Sequence, residues 1–300
     1  MSDEEMHSPH GQQDRQGHQD RHARHDRFVS FVSAGPGAAD LITVRGLQRL
    51  QRARVVLFDA LTDPALRDHA PQARWIDVGK RGFCDSTRQA HINALLVQWA
   101  TREPDVVRLK GGDAGIFGRL EEEIEALKAV GILYEVVPGV TAALAAAAAA
   151  GRPLTRRGRG RSVALTTSVT TDAQGQPVLR SSRSADTEVF YMAGRQLAAL
   201  GRRLLAAGWP ADTAVMVVSR AACVDQLISD HTLQGLATAA VLHSGRPTVV
   251  SVGVGAQSLG NAPGQGQRRE DCAAQRHLNL HLDMSIIADN RAAGFPSTPT

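Results

Sequence analysis

Aromatic residues are scarce in this chain. They make up 4% of its 300 residues, against 43% for hydrophobic residues as a whole. Small side chains fill the gap, including 28 glycines, so the cores must be built by close backbone approach rather than by large rings. Scarce aromatics also weaken any reading as a platform for single-stranded nucleic acid, which stacks its bases on such side chains. Cysteine is almost as rare: Cys84, Cys223 and Cys272 lie far apart and form no CxxC pair. That argues against a disulfide framework or a thiolate zinc site and fits a reducing cytoplasm. No apolar run is long enough to span a bilayer, and no membrane partner is expected. "LAAAAAAG" (Leu144 to Gly151) comes closest and reads as a short, tightly packed helix. The N-terminus lacks the charged-then-apolar order of a signal peptide.

What is present is more telling. The formal charge of +4 is modest, but "GRPLTRRGRGR" gathers Arg152, Arg156, Arg157, Arg159 and Arg161. Such a stretch suits a solvated loop, a nucleic acid or a multiply anionic small molecule. Residues 1–27 have almost no large apolar side chains and are expected to form a disordered leader. Its His7, His10, His18, His22 and His25 imply no fixed ligand geometry, so no metal site is assigned.

From Phe28 onward, strand-like and helix-like segments alternate. "FVSFVS", "RVVLFDAL", "WIDVGK", "DVVRLKGG" and "ILYEVVPG" read as strands, separated by helices such as "TRQAHINALLVQWAT" and "LEEEIEALKAVG". The pattern predicts an α/β fold with a mostly parallel sheet over residues 28–139. Residues 140–160 read as a connecting helix and basic linker. A second, smaller α/β domain of different topology is expected over 161–254, with strands at "SVALTTS", "TEVFYMA", "TAVMVVSRA", "QLISDHTL" and "PTVVSVG". Residues 255–300 form a low-complexity tail that contains one alternating segment, "LNLHLDM".

Three glycine-containing loops follow strands. "SAGPGAAD" lacks the third glycine of a dinucleotide fingerprint and has Pro36 where a donor is wanted. "KGGDAGIFGR" lacks the lysine and hydroxyl of a triphosphate-binding loop, and Asp113 would repel such a ligand. Asp113 suits either a turn whose amides it satisfies or a cationic ligand. Gly111, Gly112, Gly115 and Gly118 are more than one turn requires and suit close approach to a ligand. "VPGVTAA" sets Thr141 at a helix start, as a simple cap or as part of a site. All three loops lie at strand C-terminal ends, where open α/β sheets bind ligands, and this convergence points to one shared site.

In this order and spacing, "VSAGPGAADLITVRGLQRLQRARVVLFDAL", "VGKR", "INALL", "VVRLKGGDAGIFGR", "VVPGVTAALAAAA", "GRPLTRR" and "VFYMAG" resemble the tetrapyrrole methylase family over roughly Phe28 to Gly253. The resemblance implies two α/β domains with S-adenosylmethionine bound in the cleft between them. By matched position, Pro36, Gly111, Gly112, Asp113, Ile116, Thr141, Ala142, Met192 and Ala221 would line the cofactor. Asp59 would be the proton acceptor and Lys80 the proton donor. The motifs are most similar to family members that methylate uroporphyrinogen III at two ring carbons, giving precorrin-2 for sirohaem and cobalamin. The alternative is a sibling acting on a later corrin intermediate. A substrate with an acetate and a propionate on every ring is strongly anionic, which suits guanidinium forks; Arg81, Arg156 and Arg157 are the expected contacts. The family implies a cytoplasmic homodimer, with no role for nucleic acid. Departures from its pattern are Ala114 and Gly115 in the glycine loop, Leu120 and Glu121 after it, "TRRGRGR", and Ala221 where glycine is usual.

Overall fold

A computed structural model describes residues 27–79, 86–167 and 184–259. The expected leader through residue 26, the "LNLHLDM" segment, Lys80 and Arg81 lie outside the described residues. In the first half, apolar runs form strands β1 (Phe28–Ser33), β2 (Val55–Phe58), β3 (Arg74–Asp77), β4 (Asp105–Lys110) and β5 (Leu133–Val137). They pair in the order β3-β2-β4-β1-β5, and every pair is parallel. Parallel strands need both faces covered, and alternation along each strand supplies apolar side chains to both. Val29, Phe31, Leu57 and Val106 pack with Leu96 and Leu127 of the helices Ser86–Ala100 and Leu120–Ala129. On the other face, Val32, Val56, Val107 and Leu109 pack with Leu50 of the helix Val44–Arg52. Thr43 caps that helix, its Oγ1 accepting from the Gly46 N–H at 3.2 Å.

The second half contributes β6 (Val163–Thr167), β7 (Thr187–Tyr191), β8 (Ala214–Ser219), β9 (Leu227–Thr232) and β10 (Thr248–Gly253). Their order is β6-β7-β10-β8-β9; β6 and β7 are parallel and the other neighbours antiparallel. The helix Leu197–Ala206 buries Leu197, Leu200 and Leu204 against one face. The alanine-rich helix Ala142–Ala149 covers the other face, with Ala143, Ala145 and Ala146 packed on Val189, Met216 and Val218. The segment read as a connector therefore builds the core of the second half, because methyl side chains let its backbone come close to the sheet. Residues 255–257, which composition assigns to the tail, also belong to the fold. The Gly255 N–H donates to Thr187 Oγ1 at 2.8 Å, and Ala256 is buried.

Candidate active site

β1 and β4 are neighbours whose onward connections run in opposite directions across the sheet, to β2 and to β5. Ligands of open α/β sheets bind beyond the strand C-termini at such a reversal. Ser33 ends β1 beside Lys110 at the end of β4, and the two glycine loops continue side by side. The Gly112 N–H donates to the Gly35 carbonyl at 2.7 Å, and the Gly35 N–H donates back to the Gly112 carbonyl at 3.1 Å. Ser33 Oγ accepts from the Ala114 N–H at 2.9 Å. Asp113 ties this pair to the turn after β5: its Oδ2 accepts from the Gly139 N–H and its Oδ1 from the Gly115 N–H, each at 2.8 Å. Of the two roles open to Asp113, the hydrogen bonds are those of a carboxylate satisfying amides.

The second half closes on these loops. Leu41, Ile116, Val140 and Ala142 pack against a cluster containing Tyr191, Val218 and Ala221. Thr141 Oγ1 and the Tyr191 hydroxyl share a 2.7 Å hydrogen bond, and Phe117 stacks edge-on against Tyr191 at 5.0 Å. Burial raises the Tyr191 phenol above its usual range, against the opposing hydrogen bond from Thr141. Pro36 sits half-buried beside Gly37, where an added Cβ would lie 2.6 Å from the Ala221 carbonyl oxygen. Met192 follows β7, is 42% exposed and has φ +57°. The other non-glycine residues with positive φ are Phe117, Arg119, Arg220 and Ala222. Among the described residues, all five lie in loops that the sequence marks for ligand contact. Non-glycine residues rarely adopt this conformation, and it clusters at binding sites. Pro36, Gly111, Gly112, Asp113, Ile116, Thr141, Ala142, Met192 and Ala221 thus belong to a set of loops that meet.

Asp59 follows β2 in the same region. Its carbonyl accepts from the Thr62 N–H and hydroxyl, which makes a turn. Its side chain has a different partner: Oδ1 accepts from Arg108 Nη2 at 2.6 Å. Arg108 is 1% exposed and also donates to Glu123, from Nε to Oε2 at 3.0 Å. Lys110 Nζ donates to Glu123 Oε1 at 2.8 Å. Burial lowers the Lys110 ammonium, as does neighbouring Arg108, with Glu123 opposing. Burial also acts to lower the Arg108 guanidinium, but Asp59 and Glu123 outweigh it and the net shift is upward. Sequence reasoning missed Arg108, Lys110 and Glu123. The signal was there in two cations two residues apart, on one face of a strand otherwise apolar enough to be buried.

The arginine cluster divides. Arg152 Nη1 and Nη2 pair with Asp230, and Nη1 also donates to the Ala256 carbonyl at 2.8 Å. Arg156 is buried and donates to the Gln257 carbonyl; its guanidinium is lowered by burial and by the charges of Arg159 and Arg152. Arg157 is exposed.

Against known proteins, the chain is 44% identical over 198 residues to a uroporphyrinogen-III C-methyltransferase of Pseudomonas aeruginosa, covering 66% of this chain and 81% of that one. It is 44% identical over 211 residues to a siroheme synthase of Baumannia cicadellinicola, of which it spans about half, 46%. A Thermus thermophilus uroporphyrin-III C-methyl transferase, solved with S-adenyl homocysteine, superposes with a TM-score of 0.66 at 33% identity, over 75% of this chain and 97% of that one. A cobalt precorrin-4 methyltransferase superposes with the same score at 27% identity, over 78% and 98%. The model of the tetrapyrrole (corrin/porphyrin) methylases matches residues 29–237. This chain belongs to the tetrapyrrole methylase family.

Proposed function

We propose that this chain transfers methyl groups from S-adenosylmethionine to two ring carbons of uroporphyrinogen III, giving precorrin-2. The observation that carries the reading is the meeting of the β1, β4, β5, β7 and β8 loops in one place, with Asp59 at the same sheet edge. The residues present fit the cofactor. An added Cβ at Gly112, which has φ +71°, would find no atom within 4 Å, so open space lies against bare backbone there. Apolar Met192 and Phe117 flank the region and are partly exposed, as a nucleoside requires. In this reading Pro36, Gly111, Gly112, Asp113, Ile116, Thr141, Ala142, Met192 and Ala221 hold the cofactor, which when bound supplies an electrophilic methyl group. The chain's own part is alignment of substrate with that methyl and management of protons. Asp59 takes the proton released from the macrocycle after methylation and Lys80 serves as donor, which acid–base groups typically make worth about 10²–10⁴-fold.

Arg81 and Arg157 are the proposed contacts to substrate carboxylates. Arg156 keeps a place in that group through its position in "TRR", with its guanidinium already engaged by the Gln257 carbonyl. The siroheme synthases are longer proteins, and only the methylation activity is proposed here. A cytoplasmic homodimer belongs to the same reading and predicts a solution mass about twice the chain's 32.0 kDa. The second reading, a sibling acting on a later corrin intermediate, is favoured by the likeness to the cobalt precorrin-4 enzyme. Incubating purified protein with S-adenosylmethionine and uroporphyrinogen III separates them. The precorrin-2 chromophore is expected. Cofactor binding without that chromophore would favour the sibling.

A further inference from the structure

Among the described residues, Arg108 heads the fully buried side chains by volume, and it is charged. Its three nitrogens are all engaged: Nε and Nη2 on Glu123 at 3.0 and 3.2 Å, Nη2 also on Asp59 at 2.6 Å, and Nη1 on the Leu109 carbonyl at 3.0 Å. Glu123 is held in turn by Lys110 at 2.8 Å and by Gln89 Nε2 at 3.3 Å, and Gln89 also donates to Asn93 Oδ1 at 2.9 Å. Two cations thus face two carboxylates, and the side chains of Arg108, Lys110 and Glu123 are at most 3% exposed while Asp59 is 30% exposed. Of these four ion-paired side chains, Asp59 is the one that reaches solvent.

Such a cluster is by itself a weak argument for stability. Desolvating buried ion pairs costs about as much as their attraction returns, and apolar substitutes of equal volume often hold a core as well or better. Val29, Phe31 and Leu127 line the same face of the sheet, so apolar packing was open to this position too. Buried, paired charges at the strand ends that carry a ligand site are instead a mark of function.

We propose that Arg108 is a positioning residue for Asp59, with Glu123 and Lys110 fixing Arg108 itself. The guanidinium occupies Oδ1 and sets the carboxylate's rotamer. Oδ2 has no hydrogen bond among the described residues, and it is the oxygen that receives the substrate proton. The inference rests on the reading of Asp59 as the base. Arg108→Lys keeps the positive charge beside Asp59 and loses the fork, so the base is released from its geometry.

The test is a double-mutant cycle of Arg108→Lys with Asp59→Asn, using uroporphyrinogen III and S-adenosylmethionine. Rates are taken per mole of enzyme that binds S-adenosylhomocysteine. Arg108→Lys alone is expected to lower kcat by about 10²-fold, the scale of an ångström's misplacement, with KM and S-adenosylhomocysteine affinity within about twofold of wild type. In the Asp59→Asn background the same substitution should cost nothing further. An undiminished loss in that background, or no loss in either, overturns the positioning role and leaves Asp59 as base intact. Wild-type turnover by Asp59→Asn overturns the reading of Asp59 as base, and the positioning role with it. A merely structural Arg108 would lower Tm and leave kcat per cofactor-binding enzyme unchanged. Should Arg108→Lys not fold, Glu123→Gln carries the cycle: it keeps shape, removes the charge that holds Arg108, turns one of the two accepting oxygens into a donor facing a donor, and should lose kcat only while Asp59 is present.

Discussion

Gly37 and Gly112 serve the same loops for opposite reasons, and substitution separates them. A methyl at Gly37 would lie 2.6 Å from the Ala221 carbonyl oxygen and 3.0 Å from Cys223 Sγ. The two halves would have to part there, so Gly37→Ala should destabilise by about 1–3 kcal/mol, the usual range for overpacking. A Tm several degrees lower in calorimetry is the expected result. At Gly112 there is room but φ is +71°, which costs an alanine about 1–2 kcal/mol. If that open space belongs to the cofactor, Gly112→Ala loses S-adenosylhomocysteine affinity out of proportion to its change in Tm; wild-type affinity would remove this loop from the cofactor site. Asp113→Asn makes a third case. One of the two oxygens that accept amide protons becomes a donor facing a donor, which should cost about 1–3 kcal/mol and loosen cofactor binding as the loop detaches from Gly139. The sequence left Asp113 with two roles because a carboxylate's partner 26 residues away leaves no local pattern.

Across β8, β9 and the helix Ala240–His243 runs a chain of side-chain hydrogen bonds whose direction is set at both ends. Arg246 Nε can only donate, and it donates to Ser219 Oγ at 3.0 Å. At the far end, Thr238 Oγ1 donates to the Gly235 carbonyl at 2.8 Å, so it accepts from His231 Nδ1. Between them lie Ser219 with His243 Nδ1 at 2.9 Å, His243 Nε2 with Ser229 at 2.8 Å, and Ser229 with His231 Nε2 at 2.7 Å. One polarity satisfies all of them, with His243 carrying its proton on Nε2 and His231 donating from Nδ1. Burial, His231 and Arg246 all lower the His243 imidazole. The folded chain therefore binds fewer protons than the unfolded one below an ordinary histidine value of about 6.5, and stability rises with pH there. The contribution is complete above about 6.5 and is lost as the pH falls through that value towards the lowered folded-state one. The Tm of wild type should fall more steeply from pH 7.5 to 5 than that of His243→Gln; parallel curves would sink the idea. The sequence predicted β8 and β9 as strands but not this chain, because Ser219, Ser229 and His243 meet only once β8 pairs with β9 and the helix folds back.

For the molecule as a whole, alternation of strand and helix segments was enough to place two α/β halves, and motif order was enough to place the loops that meet between them. Strand order was not legible: β1 leaves for β2 across β4, a choice made by non-local pairing rather than by any property of "FVSFVS". The destination of Arg108 was hidden for the same reason, since Glu123 lies on a helix that reads as a plain amphipathic segment. The arginine cluster was legible as charge but not as division of labour, and that division sets the last expectation. Arg152 is spent on Asp230 and the Ala256 carbonyl, and Arg156 is buried with one bond to the Gln257 carbonyl, whereas Arg157 is exposed. An exposed cation meeting a polyanionic substrate acts through a field that salt screens beyond about 8–10 Å at 0.1–0.15 M. KM for uroporphyrinogen III should therefore rise with ionic strength in wild type, and Arg157→Ala should raise it at low salt and flatten its slope. Arg152→Ala should leave the slope alone and lower Tm, because it removes an anchor of the fold rather than a contact to substrate. If both variants keep the wild-type slope, substrate charge is met elsewhere, and Arg81 becomes the residue to substitute next.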